Sequence, residues 1–419
     1  MSKVAKLIRH PWQFWADALR KRAGEFAKKL NGVGGFVFEN FVTTDLVAVY
    51  FDGGKDQIYQ LEQWVGPLQA LESQLPVTVI CRTVDAYKWI VSNSNLRCAY
   101  CRTMGDLLSV YRRNAFKCIL YVNNASRNFQ SLIHGRALHV HINHGESDKL
   151  STFSNQSKAY DYVFVAGQAA VDKYNINLIK KDPTKYLIIG RPQLEHVRPI
   201  DLPPAPDRCH TTVLYAPTWE GTHDDMNYSS VATVGLELVE SLLHTPGYRV
   251  LYRPHPNTGK RVPAVGKANE VIKTMVGRHP KGLVVPEGDI NALFAHAHVA
   301  IFDNSAVAVD YLATGKPLVM TDWLAQGADG RRSMPLITQA ATLIGASQAG
   351  QVCQMLDQLL HHDPVASMRR QVQLQFLGPF EAAQQQSTKA FIRAVTDVCE
   401  ECDHLNLALA AQHPIESEA

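Results

Sequence analysis

The chain has 419 residues, room for two domains of ordinary size with full cores. Its 46% hydrophobic and 19% charged content excludes a disordered chain, and no apolar run nears the roughly 18 residues of a membrane span. Net charge is +3 but uneven: residues 1–30 hold eight Lys or Arg against two acids, leaving −3 for the rest and arguing against nucleic acid as a partner of the main body.

Residues 1–30 read as an amphipathic helical segment that Pro11 divides, with Leu7, Ile8, Trp12, Phe14 and Trp15 beside Lys3, Lys6, Arg9, Arg20 and Lys21. The pattern suits an interfacial helix on an anionic membrane and equally a helix packed on the body with a solvated basic face. It lacks the apolar core of a signal peptide, so the expected location is cytoplasmic, peripheral at the inner face of the cell membrane. The eight cysteines are scattered; Cys98 and Cys101 form a lone CxxC, expected to be free thiols in a reducing compartment.

Strands are predicted at 46–51, 77–82, 118–122, 138–143, 162–166 and 186–189, then at 212–216, 249–253, 283–285, 298–302 and 317–321. They are short, β-branched and not strictly alternating, as in parallel sheets covered on both faces. Helices are expected at about 230–244, 261–277, 289–297, 306–314, 348–361 and 379–403, with a Pro-rich linker at 201–207. This gives an α/β protein: an N-terminal segment (1–30), two doubly wound Rossmann-like domains (31–205 and 206–375) and a helical tail (376–419) packing back on the first domain. Ligands in such folds sit beyond the carboxyl ends of the strands.

Four polar clusters fall at those ends. In His139-Val-His-Ile-Asn-His-Gly-Glu-Ser, His139 and His141 share one strand face, while His144 lies past the strand as a candidate base before a pliant Gly145. Three histidines and an acid also suit zinc, but His139 and His141 inside the strand are expected to pack or hydrogen-bond. Tyr215-Ala-Pro-Thr-Trp-Glu-Gly221 offers the Thr218 hydroxyl; Arg253-Pro-His-Pro256 pre-orients His255 beside a permanent cation. In Asp303-Asn-Ser-Ala, a strand turns into a helix whose first amides, near Ser305 and Ala306, suit a phosphate.

In this order, the four clusters resemble the CDP-glycerol glycerophosphotransferases that build teichoic acids and related capsule polymers, over residues 115–325. The matching motifs are His144-Gly145, Tyr215 to Trp219, Arg253 to Pro256, and Asp303 to Asp310 followed by Lys316-Pro317. Four departures stand out: Asn143 replaces a Trp, Glu146-Ser147 a Thr-Pro, Ala306 a second Ser, and Trp219-Glu220 the commoner Trp-Arg. The last is expected to weaken cationic character there, and the changes at 146–147 to alter the acceptor.

The resemblance implies a GT-B fold and transfer of glycerol phosphate, or another alditol phosphate such as ribitol phosphate, from a CDP donor to a glycan or glycolipid hydroxyl, with release of CMP. It implies His144 as general base, and His255 and Arg253 stabilising the diphosphate. Ser305, Ala306, Asn304, Thr218 and Asp303 would form the phosphate site, and Glu287 would contact the ribose. Gly145, Glu146 and Ser147 would lie on the acceptor side, with Asp310, Lys316 and also Asp303 bracing the loop. The scheme requires no metal or other cofactor and leaves room for Mg²⁺. Two alternatives stay open: a GT-B glycosyltransferase using a UDP- or CMP-sugar, and a nucleotide-binding scaffold of a polymer-assembly complex.

Overall fold

The computed structural model describes residues 41–147, 153–322 and 335–412; the basic segment 1–30 lies outside them. Among the described residues, thirteen strands form two all-parallel sheets. The first contains β1 (Val47–Phe51), β2 (Val77–Cys81), β3 (Arg97–Tyr100), β4 (Cys118–Tyr121), β5 (Leu138–His141), β6 (Tyr162–Val165) and β7 (Tyr186–Ile188), in the order β3-β2-β1-β4-β5-β6-β7. The second contains β8 (Thr211–Ala216), β9 (Tyr248–Tyr252), β10 (Gly282–Val284), β11 (Val299–Phe302), β12 (Leu318–Thr321) and β13 (Thr342–Ile344), in the order β10-β9-β8-β11-β12-β13.

Central strands such as β1, β2, β4, β8 and β11 are buried along their whole length, which is why they read as apolar runs. Both sheets reverse strand order beside their first strand, at β1/β4 and β8/β11. These switch points open a crevice at the carboxyl ends of each sheet. Two Rossmann-like halves facing across one cleft form the GT-B fold.

β3 and β13 were not predicted as strands. Each has a single neighbour at a sheet edge, and Arg97-Cys-Ala-Tyr and Thr342-Leu-Ile are too short for a core strand's signature. The expected helix at 379–403 runs instead from Gln386 to Gln412, and an unexpected helix, Ala366–Leu377, precedes it and ends at Gly378 (φ 67°) before Pro379.

The long C-terminal helix buries Phe391, Ile392, Val395, Val398, Cys399 and Cys402 along one stripe against the first sheet, where Phe391 meets Trp64 at 5.2 Å. The Glu195 carboxylate satisfies its first amides, accepting from Ser387 N at 2.9 Å and Thr388 N at 2.7 Å. Ala166, Ala169 and Leu194 from the first half share an apolar core with Phe302, Tyr311 and Phe376. The halves are therefore joined by buried apolar surface, and the cleft has two fixed walls.

Candidate active site

A cleft of about 330 Å³ lies between the sheets at their carboxyl ends. His144, Gly145 and Ser147 line it from the first half; Thr218, Trp219, Arg253, His255, Ser305 and Ala306 line it from the second.

The turn after β5 is built by Asn143. It sits at φ 51°, a left-handed conformation that asparagine tolerates better than most residues. Its Oδ1 accepts from His144 N at 2.9 Å and its Nδ2 donates to Gly145 O at 2.8 Å, so one side chain brackets the histidine. His144 Nδ1 lies 3.3 Å from the Val122 carbonyl. A carbonyl only accepts, so Nδ1 carries the proton and Nε2 keeps its lone pair. Burial, aided by the Arg191 charge, pushes the His144 pKa down to about 4. The ring is neutral near pH 7, as a base must be.

The opposite histidine has the complementary tautomer. Asn257 N donates to His255 Nδ1 at 3.1 Å, so in the neutral ring the proton sits on Nε2. The ring stacks on Trp219 at 5.9 Å between centroids. Tyr59, on the short helix Ile58–Glu62 after β1, meets both imidazoles edge-on, His144 at 5.9 Å and His255 at 5.8 Å. Arg253 donates to the carbonyls of Val285 at 3.0 Å and Gly288 at 2.8 Å, which fixes its guanidinium against the cleft wall. Ser305 caps the helix Ala306–Tyr311, with its Oγ accepting from Ala308 N.

Several expected roles do not fit this geometry. Asp303 is fully buried away from the cleft and accepts from Thr218 N at 2.8 Å, Ser230 N at 3.2 Å and Thr321 Oγ1 at 2.5 Å. It braces the Thr218 turn and does not face a phosphate. Asn304 is likewise buried outside the lining. Glu287 is exposed beyond the cleft, and Asp289 lines it instead.

Glu146 turns inward, its carboxylate accepting from Ala166 N at 3.0 Å, so of the 145–147 segment only Gly145 and Ser147 face the cleft. Gly145 leaves room for protein and not for substrate: a Cβ there would meet the Ala306 Cβ at 2.7 Å. Glu220 is also buried. Burial opposes its charge, but donors from Gly259 at 3.0 Å, Arg261 at 2.8 Å and Val262 at 3.0 Å hold its pKa below the ordinary value. Its negative charge organises the loop after His255 and does not dilute the cationic wall. Lys316 Nζ spans the carbonyls of Phe294 at 2.8 Å and Ala297 at 2.7 Å, outside the cleft.

Sequence reasoning missed Tyr59, Asp289 and Arg191. Arg191 donates to both carboxylate oxygens of Asp310, at 2.8 and 2.9 Å, and to the His144 carbonyl at 2.9 Å. The available signal was its place in Gly190-Arg191-Pro192, directly after a strand. His139 is structural: its Nδ1 is hydrogen-bonded to the Tyr121 hydroxyl at 2.7 Å and its Nε2 donates to the His134 carbonyl at 2.9 Å. Among the described residues, no three His, Cys, Asp or Glu side chains gather in a way that could hold a metal ion.

Residues 140–325 match the family model of CDP-glycerol:poly(glycerophosphate) glycerophosphotransferase. No curated protein matches the chain by sequence. The fold is similar to that of the wall teichoic acid polymerase TagF, at 13% identity, with 96% of this chain and 99% of that one covered and a TM-score of 0.55. A variant of TagF soaked with CDPG gives 14% identity, the same coverage and a TM-score of 0.56. A putative UDP-N-acetylglucosamine 2-epimerase from Listeria monocytogenes is similar over 86% of this chain and 98% of its own, at 14% identity and a TM-score of 0.55.

Proposed function

We propose, from the match of residues 140–325 to the family model of CDP-glycerol:poly(glycerophosphate) glycerophosphotransferase, that this enzyme transfers glycerol phosphate from CDP-glycerol, or a related alditol phosphate from its CDP donor, to a hydroxyl of a teichoic-acid-like or capsule glycan. The observation that carries the reading is the pair of histidines on opposite walls, with complementary tautomers and one tyrosine between them.

The acceptor O–H gives its proton to His144 Nε2 as its oxygen attacks the β-phosphorus of the donor. A new P–O bond forms, and the bond from that phosphorus to the bridging oxygen breaks. CMP leaves with the electron pair. The charge that builds on the departing phosphate is met by His255 Nε2–H, by the Arg253 guanidinium and by the amides behind Ser305. No step is assigned to a metal. Work at the cytoplasmic membrane face, with the segment 1–30 as anchor, fits a lipid-linked acceptor.

The test is product analysis. Purified protein is incubated with CDP-glycerol, CDP-ribitol, UDP-sugars and CMP-sugars, each with short glycan acceptors, and products are read by mass spectrometry. CMP together with an acceptor heavier by one alditol phosphate is expected. Turnover of a nucleotide sugar alone would make the protein a glycosyltransferase, and turnover of nothing would leave a binding scaffold.

A further inference from the structure

His141 is 1% exposed and belongs to the cleft wall, yet neither ring nitrogen has a hydrogen-bond partner among the described residues. Its ring is held by stacking on Tyr160, at 5.2 Å and 17°. A buried polar group without a partner is costly, and native proteins seldom leave one unexplained. The Gln193 side chain, 3% exposed and on the same wall, is in the same state at both Nε2 and Oε1.

The chemistry of these atoms narrows the ligand. Burial pushes the His141 pKa down to about 3, so the ring is neutral, with one N–H donor and one lone pair. An amide also offers both. A phosphate or carboxylate would only accept and an ammonium would only donate, each leaving half of these groups unanswered. A hydroxyl donates and accepts. Of the cations on this side, Arg191 is already paired with Asp310, and the Arg198 charge acts on the Glu62 and Asp289 carboxylates. The opposite wall carries Arg253, His255 and Ser305, which suit a diphosphate.

We infer that His141 forms a hydroxyl-reading subsite beside His144 that takes the neutral polyol or sugar end of the acceptor. This rests on the transferase reading for the word acceptor. The subsite itself rests on the orphaned nitrogens and their place in the cleft.

The experiment uses the full chain loaded with CMP, and saturation-transfer NMR with glycerol, ribitol and methyl glucopyranoside as neutral probes. At least one probe is expected to bind the wild type. His141→Phe, which keeps the stacked ring but loses both polar atoms, should weaken that binding about tenfold, the scale of one or two hydrogen bonds. His141→Gln, which keeps a donor and an acceptor, should recover most of it. CMP affinity should not change in either variant. In the wild type, the imidazole ¹⁵N signals of His141, assigned by their loss in His141→Gln, should move on probe addition, which reads the subsite even if the Phe variant fails to fold. No polyol binding to the wild type, unmoved ¹⁵N signals, unchanged binding in His141→Phe, or a matching loss of CMP affinity would each overturn the subsite. CMP release from CDP-glycerol by the wild type is scored separately, so failure of the transferase reading is told apart from failure of the subsite.

Discussion

Arg191 grips Asp310 across the seam between the two halves, through two parallel hydrogen bonds of 2.8 and 2.9 Å. Both side chains are almost wholly buried. Burial disfavours the guanidinium charge, but Asp310 more than offsets this and raises the Arg191 pKa. The same guanidinium holds the His144 carbonyl at 2.9 Å. One ion pair thus ties the helix behind Ser305 to the turn that presents the candidate base.

Removing one partner strands the other charge in a dry interior. Asp310→Asn and Arg191→Met should each cost about 3–5 kcal/mol, read as a lower urea midpoint. The double variant Arg191→Met/Asp310→Leu should recover much of that stability, since both charges are gone. It should not recover turnover, because the His144 carbonyl has lost its donor. A double variant as unstable as the singles would refute the pairing argument.

The contact between Gly145 and Ala306 is tight enough to test by size. Gly145→Ala brings two Cβ atoms to 2.7 Å and should cost about 1–3 kcal/mol, with loss of activity as the base loop shifts. Ala306→Gly in the same chain should restore both. If Gly145→Ala were as stable and active as the parent, the walls would be looser than described.

The acid limb of the rate profile should be displaced. With the His144 pKa near 4, kcat/KM for the free enzyme should stay level as pH falls from about 7.5 to 5.5, where an unperturbed histidine would already be charging. Binding the anionic donor favours the charged ring, so the kcat limb should lie at higher pH than the kcat/KM limb. His144→Gln should lose at least about a hundredfold in kcat.

Stability should follow the same histidines. His141 and His144 have folded pKa values near 3 and 4, below the ordinary 6.5 of the unfolded chain. The unfolded chain therefore binds more protons below that pH. The stability these two groups leave intact above about pH 6.5 is lost progressively as pH falls toward 4 and then 3. Denaturant midpoints measured from pH 8 to 4.5 should decline once below 6.5, and less steeply in His141→Gln.

His255 and Trp219 separate chemistry from positioning. His255→Ala should lower kcat at least about a hundredfold, the usual cost of a lost charge-stabilising donor. Trp219→Ala removes only the stacking surface. It should cost about tenfold, with an unchanged pH profile, because the Asn257 amide still fixes the tautomer.

Much of the fold could be read from local pattern. The central strands are buried on both faces, so Val47–Phe51 or Val299–Phe302 carries an apolar signature that needs no neighbour to be recognised. The edge strands β3 and β13 lack it and were missed. His144, Arg253, His255 and Ser305 were legible because each closes a strand in a short polar turn.

What the sequence alone determined, then, was two parallel α/β halves and the strand ends that carry chemistry, because periodicity and turn residues act over a few positions. The tertiary structure decided which polar side chains face the cleft. Asp303, Glu146 and Glu220 turn inward because distant backbone amides are there to receive them. Arg191 and Asp310 meet across 119 residues, and Tyr59 comes between two histidines from different sheets. Such encounters are set by how two finished halves dock, and no local pattern encodes that.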